Sequence, residues 1–82
     1  MNGGPAERKA IQARVAVRVL AQLAAKNAVK NHIRSQGLRL WDFTSKDIVL
    51  WAEIWLAEHP EMIAEARAKV VRLGYAPPQF RD

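Results

Sequence analysis

Residues 6–36 have the hydrophobic and polar pattern of one long helix. Apolar side chains recur at helical spacings along this stretch, and no glycine or proline interrupts it. Alanine, arginine, lysine and leucine favour the α-helix here, although the valines weaken this preference slightly. Gly37 follows directly and can adopt the left-handed conformation that closes a helix.

Two shorter helices are predicted in the second half of the chain. Thr44 or Ser45 is expected to be an N-cap residue, and Asp47 lies three residues after Thr44 in a variant of the capping box in which Asp replaces the usual Glu. A helix is therefore expected over residues 45–58. Pro60 stops that helix and is also favoured in a first helical turn. The third helix is therefore predicted over residues 60–73.

The segments outside these helices are short. Residues 38–43 are expected to form a connector, because six isolated residues cannot make a stable sheet. Residues 1–5 and 75–82 have the composition of a flexible tail and an extended, proline-containing tail. The pattern predicts one all-α domain over residues 6–74, with three helices, or four if the first breaks at Lys26–Asn27.

The second and third helices differ in how many sides they can bury. The third is amphipathic, with its apolar residues on one face: Met62, Ile63, Ala66, Val70 and Leu73. The second is apolar around nearly its whole circumference, so it is predicted to be the buried, Trp-rich centre of the fold. Trp51 and Trp55 lie one turn apart and are interpreted as core packing in preference to a base-stacking platform or an interface hot spot.

The apolar face of the first helix changes sides along its length. Its first half carries five bulky apolar residues on one side: Ile11, Val15, Val19, Leu20 and Leu23. After Lys26 the large residues Val29 and Ile33 lie on a different side. The two ends of this helix are therefore expected to bury different sides, and the five bulky residues are the predicted interface with a partner.

The length of the first helix supports a partner. Its 31 residues would span about 46 Å, whereas a compact domain of this size has a diameter of roughly 30 Å. Either the helix breaks, or its first half projects and packs on another molecule, and the absence of glycine and proline favours projection. A symmetric homodimer is the simplest such assembly, and a helical protein partner is the alternative.

Charge is divided unequally between the halves of the chain. The net charge is +5, but residues 1–41 carry eight Lys or Arg against Glu7 alone, whereas residues 42–82 carry five basic and seven acidic residues. A row of cations four residues apart runs along the first helix, with Gln22 filling its one gap. This basic ladder consists of Arg14, Arg18, Lys26, Lys30 and Arg34, with Arg39 nearby.

The basic ladder has three possible roles. It can be the solvated face of a helix, a binding surface for a polyanion, or a partner for the acidic residues of another subunit. Solvated faces normally mix Lys with Glu, yet this helix has no acid after Glu7. The leading hypothesis is therefore a non-enzymatic protein that binds nucleic acid non-specifically through phosphates.

Two other functions stay open. The main alternative is a protein interaction or homo-oligomerisation module with no role in nucleic-acid binding. Residues 6–34 could also lie on an anionic membrane surface, but they contain no Trp or Phe. A helix-turn-helix docking mode is disfavoured, because residues 45–58 are apolar and acidic where a groove-reading helix needs exposed polar side chains.

Signatures of enzymes and metal sites are missing from the sequence. There is no cysteine, no glycine-rich phosphate loop and no nucleophile motif. His32 is expected at the surface of the first helix and His59 at the boundary before Pro60, without metal-ligand spacing. We expect no catalytic residue, metal, cofactor or small-molecule substrate, no membrane span, and a cytoplasmic location.

Overall fold

The computed structural model describes residues 5–74 of the chain, which are almost entirely helical. In order, they form α1 (Pro5–Ser35), a short 3-10 helix (Leu40–Asp42), α2 (Ser45–Glu58) and α3 (Glu61–Arg72). The predicted all-α fold with three main helices is confirmed, and α1 is continuous through Lys26 and Asn27. Residues 1–4 and 75–82, which hold the predicted tails, lie outside the described residues, and Pro5 already belongs to α1.

Glycine ends α1 as its position in the sequence indicates. Gly37 has φ +75°, in the left-handed region. The Leu38 N–H donates to the Ile33 carbonyl at 3.1 Å, and the Gly37 N–H donates to the Arg34 carbonyl at 3.0 Å. These two bonds form a Schellman motif, which satisfies carbonyls that the helix would otherwise leave unpaired.

Local signals also determine where α2 begins. The Thr44 hydroxyl accepts a hydrogen bond from the Asp47 N–H at 3.1 Å, and the Asp47 carboxylate accepts one from the Thr44 N–H at 2.9 Å. The predicted capping box with Asp is therefore present. Pro60 is the N-cap residue of α3, so this helix begins at Glu61, one residue later than predicted.

The buried residues of α1 form a row with a spacing of four. They are Ala13, Val17, Ala21, Ala25, Val29 and Ile33, each at most 2% exposed. A four-residue step turns the helix by about 400°, so this row drifts by about 40° per step and by about 200° over its length. The two ends of α1 bury different sides, as the sequence pattern predicts, but in the first half the buried side is that of Ala13 and Val17 and not the predicted side of Val15 and Val19.

Two clusters fill the space around α1. The residues Ala66 and Val70 of α3, together with Ala52 and Leu56 of α2, pack with the smaller side chains of the buried row from Ala13 to Ala25. Ile48 of α2 packs with Val29 and Ile33, and Leu40 and Phe43 flank this second cluster. Leu73, predicted on the buried face of α3, is 57% exposed because it lies beyond the last helical turn.

The helix at the centre of the fold is α1, which corrects the prediction that α2 is central and buried. Both α2 and α3 pack against α1. Only one side of α2 is buried, whereas Leu50 and Ile54 are 57% and 58% exposed and Trp51 and Trp55 are half-buried. Although α2 is apolar on nearly all sides, α1 is the one helix that packs extensively along it among the described residues, so the other apolar sides of α2 stay exposed.

The shape of the molecule follows from the length of α1. Its principal extents are 50 × 24 × 19 Å and its radius of gyration is 15.4 Å, more than the roughly 12 Å expected for a compact domain of this size. The first half of α1 does not project unpacked, because from Ala13 onward α3 covers one side of it. The alternative of a break at Lys26–Asn27 is wrong, and the first half of α1 packs on α3 within the same chain, so an unbroken helix supports an elongated domain. Packing of this half on a second molecule stays a prediction.

Candidate nucleic-acid interface

The basic ladder follows the buried row along the whole of α1. Each ladder position comes one residue after a buried one, as Arg14 follows Ala13 and Arg34 follows Ile33. The ladder is therefore offset from the buried row by about 100° and winds around α1 with the same drift. It forms one edge of the packed face, where the cations border the other helices and still reach solvent.

The middle of the ladder borders α2. Lys26 and Lys30 are half-buried and line a surface groove whose other walls include Phe43, Ser45 and Val49. Long lysine stems can cover apolar surface while their ammonium groups stay in water. The cations toward the two ends of the ladder are exposed: Arg14 and Arg18 at one end and Arg34 at the other.

The gap in the ladder coincides with a carboxylate of α2. The Gln22 amide nitrogen donates to the Glu53 Oε1 at 2.6 Å. Arg18 lines the same groove as Gln22 and Glu53. The uncharged ladder position is thus the one whose side chain is hydrogen-bonded to α2, and the cations lie on either side of it.

The cations of the ladder have few polar partners. The Arg34 guanidinium donates to the Asn31 Oδ1 at 3.4 Å, a neutral contact within α1. Among the described residues, no hydrogen bond or ion pair joins Arg14, Arg18, Lys26 or Lys30 to a carboxylate. The positive charge of this edge is therefore not neutralised within the part of the chain that the structure describes.

The connector places an aromatic ring that sequence reasoning missed. Trp41, in the 3-10 helix, is 78% exposed, and the Arg39 guanidinium carbon lies 5.7 Å from the centroid of its ring. Leu40 packs on the cluster around Val29 and Ile33, so this short helix is held beside the end of α1. The sequence contained an indication of this exposure, because Trp41 lies in a predicted connector, two residues after Arg39, and belongs to no apolar helical face.

The predicted interface residues divide into two groups. Ile11, Val15, Val19 and Leu23 are 51%, 56%, 50% and 51% exposed. They form a second row of four-residue spacing, about 200° around α1 from the buried row, and so face away from the core. Leu20 is half-buried and packs against the core cluster, so it belongs to the inner side.

The two histidines lie among the tryptophans of α2. The His32 ring centroid is 5.7 Å from those of both Trp51 and Trp55, and His59 stacks on Trp55 at 4.9 Å. The His59 Nδ1 is also 2.9 Å from the Trp55 carbonyl oxygen. His32 was predicted at the surface, but it is half-buried because α2 crosses α1 at this level. These contacts support the interpretation of Trp51 and Trp55 as packing residues.

Metal-ligating clusters and membrane-spanning helices are both absent among the described residues. No group of three or more His, Asp or Glu side chains there is arranged to hold a metal ion. In the same part of the chain, no helix combines the length and apolar character needed to cross a membrane.

Comparison with known proteins adds no family. No protein-family model, curated protein or solved structure matches this chain. We therefore infer function from the charge, burial and geometry of the described residues alone.

Proposed function

We propose that this is a small non-enzymatic protein that binds nucleic acid through backbone phosphates along the basic ladder, without reading base sequence. The observation that carries the proposal is a helical edge of five cations, interrupted once at Gln22, and none of the five pairs with a carboxylate among the described residues. Lys and Arg side chains in such a row bind phosphates by charge and by releasing condensed counterions.

The electrostatic cost of the ladder favours a ligand over a merely solvated face. Like charges four residues apart on a helix are destabilising by about 0.2–0.5 kcal/mol per pair. Glu7 is the only acid in the first 41 residues, so α1 offers no internal compensation at the level of the ladder. A polyanion laid along this edge would replace repulsion between cations with attraction.

The dimensions of the ladder suit several phosphates. Arg14 and Arg34 are 20 residues apart, which corresponds to about 30 Å along the helix axis. At about 3.4 Å per phosphate along one strand of a duplex, this length corresponds to roughly nine phosphates for a strand that follows the winding of the ladder around α1. The outer side of α2 is apolar and acidic, so the phosphate contacts are assigned to α1.

We assign Trp41 a second contact with nucleic acid, the stacking of an unpaired base. Its exposed ring has a face available for stacking, and base–aromatic stacking contributes about 1–3 kcal/mol per base. Arg39 adds a cation within reach of the same nucleotide. Single-stranded nucleic acid, with phosphates on the ladder and a base on Trp41, is therefore the favoured form.

Fluorescence anisotropy across a salt series tests this function. With five cations on phosphates, log affinity for duplex DNA should fall with log salt at a slope of about −4 to −5, and for a single strand at about −3.5. Labelled single-stranded and duplex 20-mers of several sequences should be compared under the same conditions. A lack of binding at low salt, or a strong preference for one sequence, would overturn the proposal.

A further inference from the structure

Two exposed apolar faces lie on different helices of the molecule. The outer α1 face consists of Ile11, Val15, Val19 and Leu23, each about half exposed. The outer α2 face is centred on Leu50 and Ile54, which are 57% and 58% exposed and line a shallow groove with Phe43 and Trp51. Each face points away from the packed side of its own helix, so nothing within the described chain covers it.

The outer α1 face has a basic rim. Arg14, Arg18 and Lys26 come three residues after Ile11, Val15 and Leu23, and residues three apart on a helix are neighbours. Arg8, three residues before Ile11, is also exposed. The one acid within four residues of this face along the sequence is Glu7, four residues before Ile11, so bases outnumber acids around the face.

The outer α2 face has an acidic rim. Asp47 comes three residues before Leu50, and Glu58 comes four residues after Ile54. Glu53, three residues after Leu50, already accepts a hydrogen bond from Gln22 of the same chain. Asp42 and Asp47 line the same groove as Leu50 and Ile54. Lys46 is the basic neighbour of this face, so acids outnumber bases around it.

We infer that the outer α1 face of one copy packs against the outer α2 face of a second copy of this chain. Val15 and Val19 have the same four-residue spacing as Leu50 and Ile54, about 6 Å along each axis, so the apolar pairs can interdigitate. In that arrangement the basic rim meets the acidic rim. Complementary charge at the rim determines which surfaces meet, and the apolar centre excludes water.

Charge argues against the symmetric alternatives. Pairing two outer α1 faces would bring Arg14 and Arg18 of both copies together, and pairing two outer α2 faces would bring Asp47 and Glu58 together. Juxtaposed like charges disfavour both of these pairings. The contact between unlike faces is heterologous, so a copy bound through one face still presents the other, and the assembly grows into a ring or an open chain. This contact does not rest on the proposed nucleic-acid binding, and it competes with that binding for Arg14, Arg18 and Lys26.

Two substitutions, one on each face, test this assembly. Val19→Glu places an acid on the outer α1 face, opposite the acidic rim, and Ile54→Lys places a base on the outer α2 face, opposite the basic rim. Both residues are exposed, so the helical content measured by circular dichroism should not change. Ala64→Glu and Ala64→Lys, on the exposed surface of α3, are the matched controls.

Sedimentation velocity distinguishes the pairings. The wild-type protein and both Ala64 controls should self-associate as concentration rises, whereas Val19→Glu and Ile54→Lys should each stay near the 9.2 kDa of one chain, with association weakened by about tenfold or more. An equal mixture of the two variants should form a complex of two chains, because one intact face of each kind remains. Self-association of either variant alone at the wild-type level, a mixture that stays monomeric, or a monomeric wild-type protein would overturn the inference.

Discussion

Gln22 and Glu53 connect α1 to α2 at the one uncharged position of the basic ladder. The amide of Gln22 donates to the Glu53 carboxylate at 2.6 Å, while the ladder positions on either side carry Arg18 and Lys26. A cation in place of Gln22 would lie next to this carboxylate and be largely neutralised. The gap in the ladder is thus a structural contact between helices and not a missing binding residue.

Removing this contact should weaken the domain modestly. Gln22→Ala is expected to lower the free energy of unfolding by about 0.5–1.5 kcal/mol, because one interhelical hydrogen bond is lost at an exposed position. Glu53→Gln should cost less, since its amide oxygen can still accept from Gln22. Urea denaturation of both variants measures the difference, and an unchanged stability of Gln22→Ala would show that the bond does not join the helices in solution.

Replacing a small residue of the buried row by a larger one should lower the stability of the protein. Ala25 is fully buried between α1 and its neighbours, so Ala25→Leu is expected to destabilise the protein by about 1–3 kcal/mol through overpacking. Ala24→Leu is the matched control, because Ala24 is adjacent and exposed, and its effect should stay within about 0.5 kcal/mol. Denaturant midpoints at equal m-value provide the comparison. If Ala24→Leu were the more damaging change, the assigned packing face of α1 would be wrong.

Neutralising the middle of the ladder should flatten the salt dependence of nucleic-acid binding. The double substitution Lys26→Gln and Lys30→Gln is expected to reduce the slope for duplex DNA by about 1.8, since each phosphate contact contributes about 0.9. Lys69→Gln with Arg72→Gln makes the same change in net charge on α3. That control should leave the slope nearly unchanged in anisotropy titrations. A similar loss in both double variants would indicate attraction by net charge alone.

Trp41 should matter for single strands and not for duplexes. Trp41→Ala is expected to weaken binding to a single-stranded oligonucleotide by about 1–3 kcal/mol, because a stacking surface is lost. Trp41→Phe should retain most of the affinity, since it keeps an aromatic face. Both variants should bind duplex DNA like the wild-type protein. Equal weakening by Ala and Phe, or an equal effect on duplex DNA, would remove Trp41 from the binding site.

Helix boundaries were predictable from the sequence because local chemistry determines them. Gly37 and the pair Thr44–Asp47 adopt the predicted cap geometries, with contacts that involve only residues close in the chain. The winding of the ladder was equally predictable, since a four-residue spacing drifts around any α-helix. These features need no knowledge of which helix packs on which.

The choice of the packed face was decided by tertiary structure. Judged by bulk, Val15 and Val19 looked like the buried side of α1, yet the core uses Ala13, Ala21 and Ala25 there. Alanine buries little apolar area on its own, but it lets neighbouring helices approach closely, and that gain exists only when a partner helix is present. The sequence by itself thus determined three helices, the caps that end α1 and begin α2, and a charged edge that winds. Only the tertiary structure decided that α1 is central, that Trp41 is exposed, and that bulky residues of α1 and α2 stay available to another molecule.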